Sequence, residues 1–215
     1  MKLNLLIDLD GTLTDPRLGI IRSVQHALKK LGQKVPEASG LIWMIGPPLK
    51  DSFEILLKGS DLSPNEAIRI FRERFSDVGI FENQIYDGVV ELLNEQSTVN
   101  KRLFIASTKP SVYINRILEY FDIKHFFEGA YGSELNGKWS NKEELLCHIL
   151  AELRLNLDET LMIGDRKQDI EAAKFVGIKS VWVGYGFGDE IERDNAEPDY
   201  VCDSIDDLRI LLKTI

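Results

Sequence analysis

Short apolar runs alternate with segments of helical periodicity along most of this 215-residue chain. This alternation is typical of βαβ units, in which parallel strands form a sheet that helices cover on both faces. The sequence therefore predicts an α/β protein built on a parallel sheet. The predicted strands lie at 3–7, 103–106, 161–163 and 180–183, with an edge strand at 200–202, and the predicted helices lie near 110–121, 141–153, 168–176 and 205–213.

The pattern changes between residues 15 and 83, where helical stretches occur near 17–32, 49–58 and 64–78 without a convincing strand. A segment of this length that leaves the sheet and returns to it is long enough to form a small domain. We therefore expect a core domain of residues 1–14 and 84–215 and an inserted helical domain of residues 15–83.

Two helix starts carry local signals. Ser63 and Ser140 are each followed three residues later by a glutamate, which is the capping-box pattern. In that pattern the hydroxyl and the carboxylate satisfy backbone N–H groups that have no partner in the first helical turn. The sequence therefore predicts that helices begin directly after Ser63 and Ser140.

Charge and cysteine usage restrict the partners and the compartment. The chain has 26 Lys and Arg against 35 Asp and Glu, a net charge of −9, so its surface field repels polyanions and a nucleic-acid partner is not expected. Cys147 and Cys202 form no C-x-x-C and lie in apolar patterns, which predicts two buried, reduced thiols and a cytoplasmic location. The first apolar run ends at Asp8, so no membrane partner is expected. A monomer and a homodimer remain open.

Polar residues follow each strong strand directly. Because ligands of open α/β sheets bind outside the carboxyl ends of the strands, these steps should meet in one crevice. Carboxylate and hydroxyl oxygens suit Mg²⁺, which is commonly held by one or two carboxylates together with a substrate phosphate. The polar steps are Asp8-Leu9-Asp10-Gly11-Thr12, Ser107-Thr108-Lys109-Pro110 and Gly164-Asp165-Arg166.

Other metal sites fit the sequence less well. A calcium loop that began at Asp8 would need Gly at its sixth position and Glu at its twelfth, where this chain has Leu13 and Gly19. The three histidines are scattered, so they predict no zinc site.

Taken together, the motifs resemble the haloacid-dehalogenase-like phosphohydrolases. The helical insertion looks like the C1 cap of that family, and Ile45-Gly46-Pro47-Pro48-Leu49 resembles its phosphoglycolate phosphatase-like branch. The resemblance implies a Rossmann-like core and a Mg²⁺-dependent phosphatase of small phosphorylated metabolites. It rests on Asp8-Leu9-Asp10-Gly11-Thr12-Leu13, Ser107-Thr108-Lys109-Pro110, Lys142 and Gly164-Asp165-Arg166-Lys167-Gln168-Asp169, which occur in the family's order.

The resemblance also implies residue roles. Asp8 would be the nucleophile that forms an aspartyl-phosphate, and Asp10 would be the general acid and base. Ser107 and Lys142 would contact the phosphoryl group. The expected metal ligands are Asp8, the carbonyl of Asp10, Asp165 and Asp169, and further phosphate or substrate contacts are expected from Gly11, Thr12, Thr108 and Lys109.

Spacing alone does not identify the lysine that would contact the phosphoryl group, because Lys109, Lys138 and Lys142 are all available. Lys142 matches the family position at a helix start, where a cation opposes the helix dipole and gains nothing locally. Whether Lys109 also contributes stays open.

Substrate specificity should reside in the insertion, where Lys50 and Arg74 are candidate contacts for an anionic leaving group. Phosphoglycolate-like acids and nucleoside 5′-monophosphates both remain possible substrates. A phosphomutase of the β-phosphoglucomutase type and a non-catalytic phospholigand-binding regulator are the alternative functions. Gly184-Tyr185-Gly186-Phe187-Gly188 lacks dinucleotide-loop spacing and is interpreted as a flexible connection after the fourth strand.

Overall fold

The computed structural model describes residues 2–99 and 101–215, which divide into two compact units. The core unit comprises the chain up to Thr14 together with Ile85–Ile215, and the helical unit comprises Asp15–Gln84. Within the described ranges, no helix is both long enough and apolar enough to cross a membrane.

A six-stranded sheet forms the centre of the core unit. Its strands are β1 (Leu3–Ile7), β4 (Lys101–Pro110), β5 (Gly129–Ser133), β6 (Thr160–Gly164), β7 (Lys179–Val183) and β8 (Tyr200–Cys202). They lie in the order β5-β4-β1-β6-β7-β8 with every pair parallel, which confirms the predicted α/β class. Both central strands, β1 and β6, are largely buried because helices cover the sheet, which explains their continuous apolar runs.

The register of the sheet decides which residues meet at its carboxyl edge. Ile7 at the end of β1 lies opposite Ile105 of β4 and Ile163 of β6. The polar residues that follow these three positions therefore emerge side by side, as in other open α/β sheets with a ligand crevice.

Six helices connect and cover the strands of the core unit, and three elements were not predicted. Strand β5 has the sequence Gly-Ala-Tyr-Gly-Ser, whose glycines weaken the strand pattern. Helices α4 and α8 also lack a clear signal. The helices are α4 (Val89–Thr98), α5 (Ser111–Tyr120), α6 (Lys142–Leu153), α7 (Lys167–Val176), α8 (Glu190–Ala196) and α9 (Ile205–Thr214).

The helical unit contains three α-helices and two short 3₁₀ segments. Phe71 packs against Phe53 and stacks on Phe75, with ring centroids 6.3 and 5.1 Å away. Two short strands, β2 (Thr14–Asp15) and β3 (Gln84–Ile85), pair where the chain leaves and re-enters the core unit. The helices are α1 (Arg17–Lys30), α2 (Leu49–Leu56) and α3 (Pro64–Phe75), and the 3₁₀ segments are Ala38–Met44 and Gly79–Phe81.

The two predicted caps have different outcomes. Ser63 is the N-cap of α3, and its side chain accepts a hydrogen bond from the N–H of Asn65. The prediction for Ser140 is wrong by one residue, because Asn141 caps α6 and accepts from the N–H of Glu144. An asparagine is as good an N-cap as a serine, so the sequence pattern alone does not separate the two.

The cysteine prediction is half wrong. Both thiols are free and Cys202 is buried, but Cys147 is exposed. Helix α6 turns Leu145, Leu146 and Ile149 toward the core, so position 147 falls on its outer face.

Candidate active site

The central strand β1 delivers Asp8 to the carboxyl edge of the sheet, and a tight turn places Asp10 beside it. Both carboxylates are buried. The turn closes through a hydrogen bond of 2.8 Å from the N–H of Gly11 to the carbonyl of Thr14. Gly11 has a φ of +88°, and a Cβ there would collide with the carboxylate of Asp165, so this turn requires glycine.

Lys142, the first residue of α6, is buried beside Asp8. Its Nζ donates to Asp8 Oδ1 at 2.8 Å and to the carbonyl of Ala106 at 2.7 Å, and it pairs with Asp169 Oδ1 at 2.7 Å. Burial alone would lower the pKa of Lys142, but the charges of Asp169 and Asp8 raise it above its ordinary value. The lysine is therefore a fixed positive charge between two carboxylates.

Strand β6 ends in Gly164, and Asp165 and Asp169 follow at the start of α7. Both aspartates are buried, and Asp169 Oδ2 accepts from the N–H of Arg166 at 3.2 Å. Burial raises the pKa of Asp165 well above its ordinary value, and Asp169 and Asp8 raise it further. The pKa of Asp169 is also raised, chiefly by burial, although Lys142 opposes the shift.

Asp8, Asp165 and Asp169 can direct one oxygen each to a common point, since these atoms lie within 4.8 Å of one another. Among the described residues, Asp165 Oδ1 is buried without a hydrogen-bond partner. Three buried carboxylates that face one another, with one oxygen unpaired, fit a hard divalent cation with oxygen ligands. These residues can therefore hold the metal that the sequence predicts.

Asp10 has a second cation beside it. Lys109 Nζ is hydrogen-bonded to Asp10 Oδ2, and both side chains are buried. Burial raises the pKa of Asp10, and Lys109 only partly opposes this shift. The two lysines thus have separate carboxylate partners, Lys142 at Asp8 and Lys109 at Asp10, whereas Lys138 is exposed and pairs with Glu134 at 3.7 Å.

The hydroxyl residues have different surroundings. Ser107 is buried on β4, and its Oγ accepts from the N–H of Lys109 at 3.4 Å, while Thr108 is half-buried. Thr12 is buried, and its N–H donates to the carbonyl of Leu9 at 3.3 Å. The N–H groups of Gly11 and Thr12 both close the turn, and the phosphate contacts expected from these residues stay a prediction.

The two predicted substrate contacts of the helical unit also differ. Lys50 is exposed and lies 4.0 Å from Glu54 on α2. Arg74 instead donates to both carboxylate oxygens of Glu82, at 2.7 and 3.0 Å, and to Ser23 Oγ at 3.2 Å. Its guanidinium is thus engaged inside the helical unit, and its contact with substrate stays a prediction.

Sequence reasoning missed the contribution of residues 184–188. The N–H of Phe187 donates to Asp165 Oδ2 at 2.7 Å, and the Tyr185 hydroxyl donates to the carbonyl of Thr12 at 3.1 Å. The interpretation as a flexible connection overlooks these contacts. The closely spaced glycines were the available signal, because glycine permits close approach of the backbone to another group.

Comparison with known proteins supports the same chemistry. Residues 5–183 match the family model described as haloacid dehalogenase-like hydrolase. The chain is 41% identical over 211 residues to a 5′-nucleotidase of Pseudomonas aeruginosa, covering 98% of this chain and 96% of that protein. It is 36% identical to the tyrosine-protein kinase PtkA of Mycobacterium tuberculosis, covering 95% and 70%, and 30% identical to a phosphoglycolate phosphatase of Colwellia psychrerythraea, covering 97% and 96%.

Solved structures extend the likeness to the whole fold. The crystal structure of a predicted phosphatase from Clostridium acetobutylicum is 36% identical, covers 100% of both chains and superposes with a TM-score of 0.95. The family match spans most of the chain and includes Asp8, Lys142, Asp165 and Asp169. The protein therefore belongs to the haloacid dehalogenase-like hydrolase family.

Proposed function

We propose that this protein is a Mg²⁺-dependent phosphatase that hydrolyses small phosphomonoesters through an aspartyl-phosphate on Asp8. The observation that carries the proposal is the position of Asp8, buried on the central strand and held by Lys142 at 2.8 Å. A carboxylate can attack a phosphoryl group only if their mutual repulsion is screened. Lys142 supplies part of that screening, and the carboxylates of Asp165 and Asp169 are placed to hold the cation that supplies the rest.

In the first half-reaction, an Asp8 oxygen forms a bond to phosphorus as the bond from phosphorus to the leaving alkoxide breaks. When bound, Mg²⁺ would neutralise charge on the phosphoryl oxygens and orient the group for in-line attack. Lys142 holds Oδ1 of Asp8, which leaves the other oxygen for the attack.

Asp10 fits the role of general acid and base. Lys109 occupies its Oδ2, and its buried Oδ1 has no hydrogen-bond partner among the residues described. The raised pKa favours a proton on Asp10, which can pass to the departing alkoxide. The resulting carboxylate then takes a proton from the water that attacks the aspartyl-phosphate and releases inorganic phosphate and Asp8.

For the substrate, we place nucleoside 5′-monophosphates ahead of phosphoglycolate-like acids. The support is the 41% identity to a 5′-nucleotidase over almost the whole of both chains, against 30% to a phosphoglycolate phosphatase. The core unit handles only the phosphoryl group, so discrimination would come from the helical unit acting as a cap that excludes water when it closes.

A second candidate is phosphoryl transfer to a tyrosine hydroxyl, which the 36% identity to the tyrosine-protein kinase PtkA favours. The same covalent intermediate would serve both reactions: in the transferase ATP would donate the phosphoryl group to Asp8 and leave as ADP, and a tyrosine hydroxyl would then accept the group in place of water. A mutase would likewise pass the group to a sugar hydroxyl.

The test is inorganic phosphate release from a panel of nucleoside monophosphates, phosphoglycolate and sugar phosphates, with Mg²⁺ or with EDTA. Asp8→Asn is the control, because it keeps the shape of the side chain and removes the nucleophile. We expect metal-dependent release that the control lacks, with the highest kcat/KM on a nucleoside monophosphate.

Three other outcomes decide against this proposal. Conversion of a sugar 1-phosphate to its 6-phosphate without phosphate release would establish a mutase. Label from γ-³²P ATP that stays on tyrosine, without phosphate release from the panel, would establish the transferase. Ligand-induced stabilisation with no turnover of any kind would leave a non-catalytic binder.

A further inference from the structure

Residues 184–188, which we call the glycine segment, lie against the metal-binding carboxylates instead of forming a free connection. The segment follows β7 and has the sequence Gly-Tyr-Gly-Phe-Gly. Tyr185 hydrogen-bonds the turn after β1, Phe187 hydrogen-bonds Asp165, and Gly186 and Gly188 lie close to Asp165. A role of the glycine segment in orienting Asp165 toward a cation rests on the proposed function.

The two oxygens of Asp165 have different surroundings. Oδ2 accepts a hydrogen bond of 2.7 Å from the N–H of Phe187. Oδ1 is buried and has no hydrogen-bond partner in the described part of the chain. One oxygen is therefore fixed by the protein, and the other is left to a ligand.

Two glycines of the segment lie close to Asp165, Gly186 at its side chain and Gly188 at its backbone. A Cβ at Gly186 would collide with Cβ and Oδ2 of Asp165 and would lie 2.5 Å from the carbonyl oxygen of Gly11. A Cβ at Gly188 would collide with the carbonyl oxygen of Asp165 and with the Trp182 ring. Any larger residue at either position would have to displace the aspartate or the segment.

Tyr185 ties the segment to the catalytic turn. Its hydroxyl donates to the carbonyl of Thr12 at 3.1 Å, and its ring packs edge-on against Tyr86 with centroids 5.4 Å apart. The side chain is half-buried between these partners. The turn that carries Asp10 and the strand end that carries Asp165 are thus fastened to one segment.

We propose that the glycine segment is a positioning element that makes Asp165 a one-oxygen ligand, through the Phe187 N–H on Oδ2 and the close approach of Gly186. Mg²⁺ demands near-ideal octahedral geometry, whereas Ca²⁺ tolerates irregular sites and accepts both oxygens of a carboxylate. Blocking Oδ2 therefore favours Mg²⁺ over Ca²⁺. Groups that orient a metal ligand in this way are worth ten- to hundredfold in metal affinity.

The experiment compares Mg²⁺ and Ca²⁺ affinities by isothermal titration calorimetry for the full chain and four variants. Gly186→Ala introduces the colliding Cβ, and its control is Gly40→Ala, where the nearest atom would be 3.8 Å away. Tyr185→Phe removes the hydroxyl that holds the turn, and its control is Tyr200→Phe, whose hydroxyl accepts from Lys179 outside the site. Melting curves in EDTA report folding, and phosphate release is measured in parallel.

We expect Gly186→Ala to raise the Kd for Mg²⁺ at least tenfold and the Kd for Ca²⁺ less than threefold, so that the selectivity for Mg²⁺ falls. Tyr185→Phe should raise the Kd for Mg²⁺ about threefold or more, and it decides the question if Gly186→Ala does not fold. A residue that only stabilises the fold would lower the Tm without changing the ratio of the two affinities.

Two results separate the failures. Wild-type protein that binds Mg²⁺ and releases phosphate, while Gly186→Ala and Tyr185→Phe match their controls in both affinities, overturns the role of the glycine segment alone. Wild-type protein that binds no Mg²⁺ overturns the proposed metal dependence and this inference with it.

Discussion

Each unit of the protein contains a cluster of paired charges. In the helical unit the cations outnumber the carboxylates, and in the core unit the carboxylates outnumber the cations. In the helical unit, Glu82 faces two arginines, with Arg22 at 2.7 Å and Arg74 at 2.7 and 3.0 Å. The hydrogen bonds from Arg74 hold the pKa of Glu82 below its ordinary value, and those from Arg22 add to the effect. Every charge of this cluster has a partner, and Arg22 is half exposed to solvent.

The cluster of the core unit has four carboxylates and two lysines, all of them buried. Its carboxylates include Asp10, Asp165 and Asp169, whose pKa values burial raises. With Lys109 and Lys142 charged, full ionisation of the acids leaves an excess of two negative charges. Buried charges are tolerated when they are paired, neutralised by a proton or bound to a metal, so a divalent cation could balance this excess.

The comparison shows that a buried cluster with more carboxylates than cations is a candidate binding site for a cation. Both clusters contain carboxylates paired with cations, but only the buried acidic one has more carboxylates than cations.

The largest effect is expected from Lys142→Met, which deletes the cation between Asp8 and Asp169. Removing one partner of a buried pair costs about 3–5 kcal/mol, which corresponds to a fall in Tm of about 10 °C without metal. The kcat/KM should fall at least a hundredfold, because the charge that screens the attack is lost. Both quantities are measured against Lys138→Met, whose lysine is exposed. Equal losses in the two variants would mean that Lys142 has no special role.

Asp165→Asn should separate stability from metal binding. It removes a buried ionisation, so we expect the metal-free Tm at pH 8 to rise by about 3 °C, for a gain of about 1 kcal/mol. The same variant should lose the stabilisation by Mg²⁺ and most phosphate release. Asp61→Asn, at an exposed position, is the control. A lower metal-free Tm for Asp165→Asn would show that the ionised Asp165 carboxylate does not destabilise the folded protein.

The gain in Tm from Asp165→Asn should depend on pH, because the pKa of Asp165 is raised in the folded chain. The pKa of Asp165 in the folded chain lies above the unfolded value of 3.8, so the folded chain retains a proton that the unfolded chain has lost. The free energy of unfolding of the metal-free protein therefore falls as the pH rises from 3.8 toward the raised pKa of Asp165 in the folded chain. The Tm difference between Asp165→Asn and wild type should vanish near pH 4 and be greatest at pH 8, while stabilisation of wild type by Mg²⁺ should increase with pH.

The two clusters were not equally predictable. Asp8, Asp10 and Asp165 could be predicted because short polar steps directly after apolar strands converge at one edge of a parallel sheet, whereas the choice of Lys142 depends on the family resemblance. The ion pair of Arg74 with Glu82 could not, since it joins the end of a helix to a loop, and no periodicity relates them. The glycine segment was missed for the same reason, because its contacts with Asp165 depend on the spatial order of β6 and β7.

Glu82→Gln should disturb the helical unit without reaching the metal. We expect the Tm to fall by about 3 °C, for a loss of about 1 kcal/mol, because two arginines lose their shared carboxylate. The Kd for Mg²⁺ should stay within twofold of wild type. Glu73→Gln is the control, because that more exposed side chain also pairs with two cations. A tenfold weaker Mg²⁺ affinity in Glu82→Gln would show that the two clusters are coupled.

The smallest effect is expected from Lys50→Ala, because this lysine belongs to neither cluster. Its side chain is 65% exposed, and its pair with Glu54 at 4.0 Å adds little, so the Tm should change by less than 1 °C. If Lys50 meets an anionic leaving group, kcat/KM should fall about threefold on phosphoglycolate and remain constant on p-nitrophenyl phosphate, whose leaving group carries no carboxylate. Lys58→Ala, another exposed lysine of the helical unit, should change neither. An unchanged kcat/KM on every substrate would remove Lys50 from the binding site and leave specificity to other residues of the helical unit.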